Sequence, residues 1–497
     1  MKRCSGVLMP IFSLPSNYGI GDFGENAYKF VDILNKNKQS VWQILPLVQT
    51  GYGDSPYSSV CSTSISPYYI SPEILYKNGL ITKDELKFTY SSSDRIDYDF
   101  LYSKRYPILR KAFARFDKDN SEFKKFIKKK TAYDYAVFMT IKYASNQKNF
   151  WEWDDGLKYR DEKVLKNFTK AFKDEILFWQ YIQFEALRQW KALKKYANSK
   201  GVKILGDMPL YVALDSVDVW TSPKTFKLDD DFKPIKVAGV PPDYFCEKGQ
   251  LWGNPVYDYE EHIKDGFSWW IKRIKNSLEL YDYIRIDHFR GLDRYFEIDY
   301  GKEDATEGVW VDVPSKEMFT AILKEVDKKR IIAEDLGVLD DGVKNLISWL
   351  EVPGMKILSF AFNGDEKNLY LPENCTENSV CYTGTHDNDT LVGLIESFND
   401  WDKNNFICGV KNSANKAKIA LKGEDTVSLA KCVIELGMSS KSKLFVLPVQ
   451  DVLLKGTEYR INTPGSVGKS NWSVKFSKKE ILSLGLKLKT LTEKYGR

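Results

Sequence analysis

Histidine is scarce in this 497-residue chain, which holds only His262, His288 and His386. Cysteine is also sparse, with seven residues, an odd number, and never the C-x-x-C spacing. These two shortages argue against a zinc site and against a disulfide framework, and they suit a cytoplasmic protein. No stretch approaches the roughly 18 uninterrupted apolar residues that a membrane span needs. The start, MKRCSGVLMPIFSLP, imitates a secretory leader, but Pro10 breaks its apolar run and no A-x-A site follows, so a first strand is expected there. Charge of one sign is not concentrated anywhere. Lys and Arg number 73 against 68 Asp and Glu, a net of +5, and the two signs are interleaved. The densest basic run, KKFIKKK at 124–130, reads as a solvated helix face. A nucleic-acid partner is therefore not expected. No internal repeat or low-complexity tract is visible.

What is present is an ordinary globular balance, 43% hydrophobic and 28% charged, with a notable 14% of aromatic residues. Flat rings are core material and also the surfaces on which sugars and bases stack. Short apolar runs rich in β-branched residues recur at 6–12, 41–48, 202–210, 283–289, 330–336, 355–362, 379–387 and 443–451. Segments such as NAYKFVDILNKN (26–37) and SKEMFTAILKEVDKK (315–329) lie between them, with apolar residues three and four apart. Eight alternations of strand and helix predict an α/β fold, a (β/α)8 TIM barrel, with an open doubly wound sheet as the alternative. The whole chain, 1–497, then forms one catalytic barrel with two long insertions. Residues 49–201 are mostly helical in pattern, and 212–282, rich in Pro, Gly, Asp and aromatics, suit a long segment covering a site.

In parallel barrels function gathers at the carboxyl ends of the strands. Those ends carry Asp207, Asp287, Glu334, Asp387 and Asp451, five carboxylates expected on one rim. In YIRIDHF (283–289), period 2 puts Arg285 and Asp287 on one face and Ile284, Ile286 and His288 on the other. Arg285 so placed would keep Asp287 ionised, as a nucleophile requires; a buried ion pair filling the barrel is the competing reading. Carboxylates on neighbouring strands, Asp287 and Glu334, are the parts of a retaining glycosidic site, in which the two lie roughly 5 to 5.5 Å apart. Asp335 points to the opposite face and reads as structural. Asp387 either stabilises a cationic sugar or caps a turn in HDNDT. His288 and His386 read as hydrogen-bond donors to sugar hydroxyls in preference to metal ligands, and His262 as structural. GVPPDYFCEKGQLWGNPVYD (239–258) interleaves rings with amides, which suits stacking on sugar faces while bonding their edges. GYGDSPYS (51–58) is a second rim loop.

Taken in order, RIDHFRG (285–291), AEDLG (333–337), GTHDNDT (384–390), SLPSNYGIGDFG (13–24), WQILPL (42–47), GYGDSPY (51–57) and NTPG…NW (462–472) closely resemble the 4-α-glucanotransferases. These are also called amylomaltases or disproportionating enzymes, of the α-amylase clan. The resemblance spans about residues 5 to 475. It implies a (β/α)8 barrel with no C-terminal β-sandwich domain, no cofactor and no metal. It further implies Asp287 as nucleophile, Glu334 as general acid/base and Asp387 as transition-state stabiliser. Arg285, His288, His386 and Asp207 match the sugar-binding set around the cleaved bond. Ser55, Tyr57, Tyr244, Phe245, Gln250, Trp252, Asn462 and Pro464 fall on the loops that enclose the donor glucan. Three departures from the usual pattern are Ser58 for Gln, Ser359 for Gln, and STSISPYYISPEIL at 62–75.

The expected activity is retaining transfer of an α-1,4-glucan segment to the 4-hydroxyl of an acceptor glucan or glucose, through a covalent glucosyl-enzyme. The expected partners are maltooligosaccharides and α-1,4-glucans such as starch, glycogen or amylose fragments. Two alternatives remain at this level: a hydrolase using the same carboxylates, and a glycan-binding protein without catalysis.

Overall fold

The computed structural model describes residues 2–91, 93–242, 247–337 and 339–497. Each of the eight apolar runs overlaps a strand. The strands are β1 (Cys4–Leu8), β2 (Val41–Gln43), β3 (Lys203–Met208), β4 (Lys236–Val240), β5 (Gln250–Pro255), β6 (Tyr283–Ile286), β7 (Arg294–Asp299), β8 (Val309–Asp312), β9 (Ile331–Ala333), β10 (Gly354–Ile357), β11 (Ser379–Tyr382) and β12 (Leu444–Pro448). Eight of them form one sheet in the order β10-β11-β12-β1-β2-β3-β6-β9, every pair parallel. The ends meet where Ala333 N donates to Pro353 O at 2.9 Å and Met355 N donates to the Asp335 carboxylate at 2.5 Å. The fold is thus a (β/α)8 barrel. After β12 the described chain is helical and irregular, with no further sheet.

The apolar runs overshoot the strands at their carboxyl ends. After β2, β11 and β12 the residues that follow the strand stay buried, so burial continues after pairing stops. Leu358 is likewise fully buried in a 3-10 turn beyond β10.

Between β2 and β3 the described residues form eight α-helices, from Pro72–Lys77 to the 27-residue Lys173–Ser199. That last helix buries Phe178, Tyr181, Ile182 and Trp190, packs against Lys130–Ala144, and returns the chain to β3. Trp190 is fully buried and donates from its indole to Leu280 O at 3.0 Å. Truncating so large a core side chain costs about 3 to 5 kcal/mol.

A second sheet, antiparallel and ordered β5-β4-β7-β8, was not expected from composition. Two of its four short strands carry Gly or Pro (KVAGV, QLWGNP), residues that ordinarily weaken strands. Val237, Phe296, Ile298 and Ala305 give it a small core of its own. This sheet holds Gln250 and Trp252 over the barrel mouth. No helix among the described residues is long and apolar enough to cross a membrane.

Candidate active site

Three adjacent strands deliver the central carboxylates, and backbone hydrogen bonds set their heights. Asp207 lies on β3 in register with Arg285 on β6. Asp287 N then donates to Met208 O, and Glu334 N donates to Ile286 O, each at 3.0 Å. Each ladder therefore continues one residue past its strand, placing Asp287 just beyond β6 and Glu334 just beyond β9.

Arg285 lies at the centre. Its Nε and Nη2 fork onto Asp207 at 2.9 and 2.8 Å, and Nη2 also donates to Asp287 Oδ1 at 2.6 Å. The side chains of Arg285 and Asp207 are 3% and 0% exposed, that of Asp287 29%. Burial opposes the charge on Arg285, but Asp207 and Asp287 outweigh it and hold the guanidinium well above its usual range. Tyr57 completes the group by donating its hydroxyl to Asp207 Oδ2 at 2.6 Å. Ile284 and Ile286 are fully buried on the opposite face, so the period-2 reading of this strand holds.

His288 departs from that alternation because its backbone is left-handed, with φ at 47°. A non-glycine residue there is strained by about a kcal/mol or more. The bend aims His288 N at Glu334 Oε2, 2.7 Å away, and sets the imidazole edge-on to Trp252 with centroids 4.9 Å apart. Gly291 makes room for it: a Cβ there would lie 2.4 Å from Leu210 Cδ2 and 3.0 Å from His288 Cδ2. Burial, with Arg290 adding to it, pulls His288 down to about 4, so the ring is neutral near pH 7.

Glu334 also accepts from Leu336 N at 3.2 Å. Burial pushes it up to about 7 against the nearby Arg285, and Asp335 adds to the rise. Asp287 is raised as well, by burial first, with Asp207, Glu334 and Asp387 opposing Arg285. Both carboxyls are thus shifted towards their protonated forms by burial, and the guanidinium hydrogen bond favours the charged form at Asp287.

Asp387 lies five residues past β11. Asn462 Nδ2 donates to its Oδ1 at 2.6 Å, and His386 Nε2 is 3.3 Å from its Oδ2. Burial lowers His386, which stacks on Tyr57 at 5.1 Å with an 11° tilt.

A cleft of about 710 Å³ opens beside these groups. Ser55, Tyr57, Gln250, Trp252, Asp287, His288, His386, Asp387, Asn462 and Pro464 all line it. Tyr244 and Phe245 lie outside the described residues. Of the departures, Ser58 lines the cleft and Ser359 lines a separate groove. Asp451 is not on this rim. It sits in a helical turn, Val449–Val452, where its carboxylate accepts from Thr383 Oγ1 at 2.5 Å and Leu391 N at 2.7 Å. It braces the chain after β11 from behind. Asp335, held by Met355 N, is structural as expected. His262 is buried among Tyr257, Trp269 and Trp270.

Sequence reading missed Arg460 and Trp472. Arg460 Nη2 donates to Asp387 O at 2.7 Å and its Nε to Asn462 O at 2.8 Å, fixing both residues. Trp472 packs 5.8 Å from Tyr57 and 5.9 Å from His386. The NW pair of the NTPG…NW motif was the available signal for Trp472; Arg460 had none.

The 4-alpha-glucanotransferase family matches residues 9–481. The 4-alpha-glucanotransferase of Clostridium butyricum is 42% identical over 98% of this chain and 100% of its own length. That of a Synechocystis species is 40% identical over 100% of this chain and 98% of its own. Among solved structures, the amylomaltase from Streptococcus agalactiae in complex with acarbose superposes with a TM-score of 0.94 at 38% identity, covering all of both chains. The chain belongs to the 4-alpha-glucanotransferase family.

Proposed function

We propose that Asp287 is the nucleophile, Glu334 the general acid and base, and Asp387 the carboxylate that steadies the reacting sugar in 4-alpha-glucan transfer. The observation that carries this reading is the unequal treatment of two neighbouring carboxyls. Burial raises both, but Asp287 receives a guanidinium hydrogen bond at 2.6 Å that favours its charged form, whereas Glu334, pushed up to about 7, receives backbone N–H groups. One carboxyl is prepared to attack and the other to give a proton.

In the first step Asp287 attacks C1 of an α-1,4-linked donor while Glu334 protonates the departing 4-oxygen. A glycosyl ester on Asp287 forms and the shortened glucan leaves. In the second step Glu334, now ionised, takes the proton from an acceptor's 4-hydroxyl, whose oxygen attacks C1 and releases Asp287. Two inversions give net retention. Asp387, held by Asn462, His386 and the Arg460-fixed backbone, supplies negative charge beside the cationic transition state. Tyr57 and Asp207 keep Arg285 in place, and Trp252, Gln250, Ser55 and Pro464 offer ring and edge contacts to the donor.

The substrates in this reading are maltooligosaccharides and longer α-1,4-glucans, such as amylose, starch or glycogen fragments. The six described cysteines are free thiols and five are buried, which supports a cytoplasmic setting. The test is incubation with maltotriose. Transfer gives a ladder of shorter and longer oligosaccharides with constant reducing ends. A net gain of reducing ends would replace transfer by hydrolysis, and full turnover by Asp287→Ala would remove the nucleophile assignment.

A further inference from the structure

Asp287 and Glu334 take their heights from the strand ladder, but Asp387, five residues past β11, has no ladder to follow. Its loop, GTHDNDT at 384–390, is irregular. Among the described residues, positions 384–389 make a single backbone-to-backbone hydrogen bond, from Asn462 N to His386 O at 3.1 Å. A group that acts on a transition state must be held to about 0.5 Å, so side chains have to fix here what pairing fixes on the strands.

Thr385 and Asn388 do this from inside the loop. Asn388 Oδ1 accepts from Thr385 N at 2.8 Å and from Thr385 Oγ1 at 3.0 Å. The Thr385 hydroxyl, its one proton given away, accepts in turn from Asp387 N at 3.3 Å. Backbone N–H groups only donate, so both ends of this chain are directional and the hydroxyl has one orientation. Thr385 is buried, and losing the hydroxyl would leave the Asp387 N–H without a partner. Arg460 holds the Asp387 carbonyl from outside, so both peptide groups of Asp387 are fixed, and Asn462 and His386 then meet its carboxylate. Asp389 ties the loop to the same outer segment, its Oδ2 accepting from Thr457 Oγ1 at 2.9 Å. That contact needs Gly393, where a Cβ would lie 2.2 Å from Thr457 Oγ1.

We propose that Thr385, oriented by Asn388, is a positioning residue for glucan transfer: its hydroxyl fixes the backbone of Asp387 so that the carboxylate meets the reacting sugar in the transition state. This rests on the reading of Asp387 as the group that steadies that sugar. The cleft is lined by His386 and Asp387 and not by Thr385, so Thr385 acts only through its neighbour. Its loss therefore weakens the transition state more than the bound donor.

The experiment measures transfer from maltotriose in the wild type, in Thr385→Val, which keeps the shape and loses the hydroxyl, and in Thr385→Ser, which keeps the hydroxyl. Asp387→Asn and the double variant Thr385→Val/Asp387→Asn complete the set. In Thr385→Val, kcat is expected to fall about 10- to 100-fold with KM little changed. The affinity for 1-deoxynojirimycin, a cationic sugar mimic that senses the Asp387 charge, should fall in parallel, and Thr385→Ser should recover most of both. In the Asp387→Asn background, Thr385→Val should cost nothing further. Full activity in Thr385→Val, or the same fold loss in both backgrounds, overturns the positioning role while leaving Asp387 in place. An unimpaired Asp387→Asn would take down the reading of Asp387 and the positioning role with it.

Discussion

Arg285 and Asp287, two residues apart at the end of β6, are joined by a 2.6 Å hydrogen bond from Nη2 to Oδ1. The same guanidinium forks onto the fully buried Asp207, so one cation serves a structural carboxylate and the proposed nucleophile together. Arg285→Met leaves Asp207 charged, buried and paired only with Tyr57. Breaking a buried pair in this way costs about 3 to 5 kcal/mol. The double variant Arg285→Met/Asp207→Asn removes the orphaned charge, and it should regain most of the stability in denaturant melts while staying inactive. A double variant as unstable as the single one would show that the ion pair is not what holds this part of the barrel.

Asp287 lies among Asp207, Glu334 and Asp387, and its raised affinity for a proton records that crowding. A site arranged for chemistry is strained by its own charges. Asp287→Asn should therefore melt at or above the wild-type temperature near pH 7, while transfer falls by at least about 10⁴-fold. A marked loss of thermal stability would mean that the Arg285 contact outweighs the repulsion.

Glu334 must be protonated to release the leaving glucan, and it is pushed up to about 7. Below that pH the acid form dominates; above it the form that can donate falls about tenfold per unit. The kcat/KM for a glucan donor should show a basic limb near pH 7. With an α-glycosyl fluoride, whose leaving group needs no proton, Glu334→Ala should regain glycosyl-enzyme formation and lose that limb. Persistence of the same limb in Glu334→Ala would assign it to another group.

The strands were legible because a barrel strand buried on both faces is a run of Val, Ile and Leu. Their ends were not, because the residues after Gln43 and Pro448 stay buried beyond the last paired position. Period 2 placed Arg285 and Asp287 correctly but failed one residue later, where the left-handed His288 leaves the strand. Asp451 was misplaced for a related reason: the chain turns helical at Val449, so counting along an imagined strand put its carboxylate on the wrong side. The sheet β5-β4-β7-β8 stayed hidden because its central pairing, β4 with β7, joins strands on either side of the barrel's own β6. Arg460 acts through backbone carbonyls, and no local pattern announces such contacts.

Tyr57 makes a 2.6 Å hydrogen bond to Asp207 through its hydroxyl and, separately, stacks its ring on His386. Tyr57→Phe removes the first and keeps the second. A hydrogen bond to a charged group contributes about 1.5 to 3 kcal/mol, so kcat/KM for maltotriose should fall by roughly ten- to a hundredfold. Tyr57→Ala also loses the ring that lines the cleft and should fall further. If the two variants are equally impaired, the ring makes no contribution of its own.

Asp451 offers a stability test outside the chemistry. Burial pushes its carboxyl from 3.8 up to about 6, against the hydrogen bonds from Leu391 N and Thr383. The folded state therefore binds the proton more tightly than the unfolded chain does. Its contribution is fully present below about pH 4 and lost as pH rises to about 6, a change of about 3 kcal/mol. Asp451→Asn carries no such titration. The variant's stability relative to wild type should improve steadily from pH 4 to pH 7 in denaturant melts and then level off. A difference that is flat with pH would show that Asp451 titrates alike in the folded and unfolded chain.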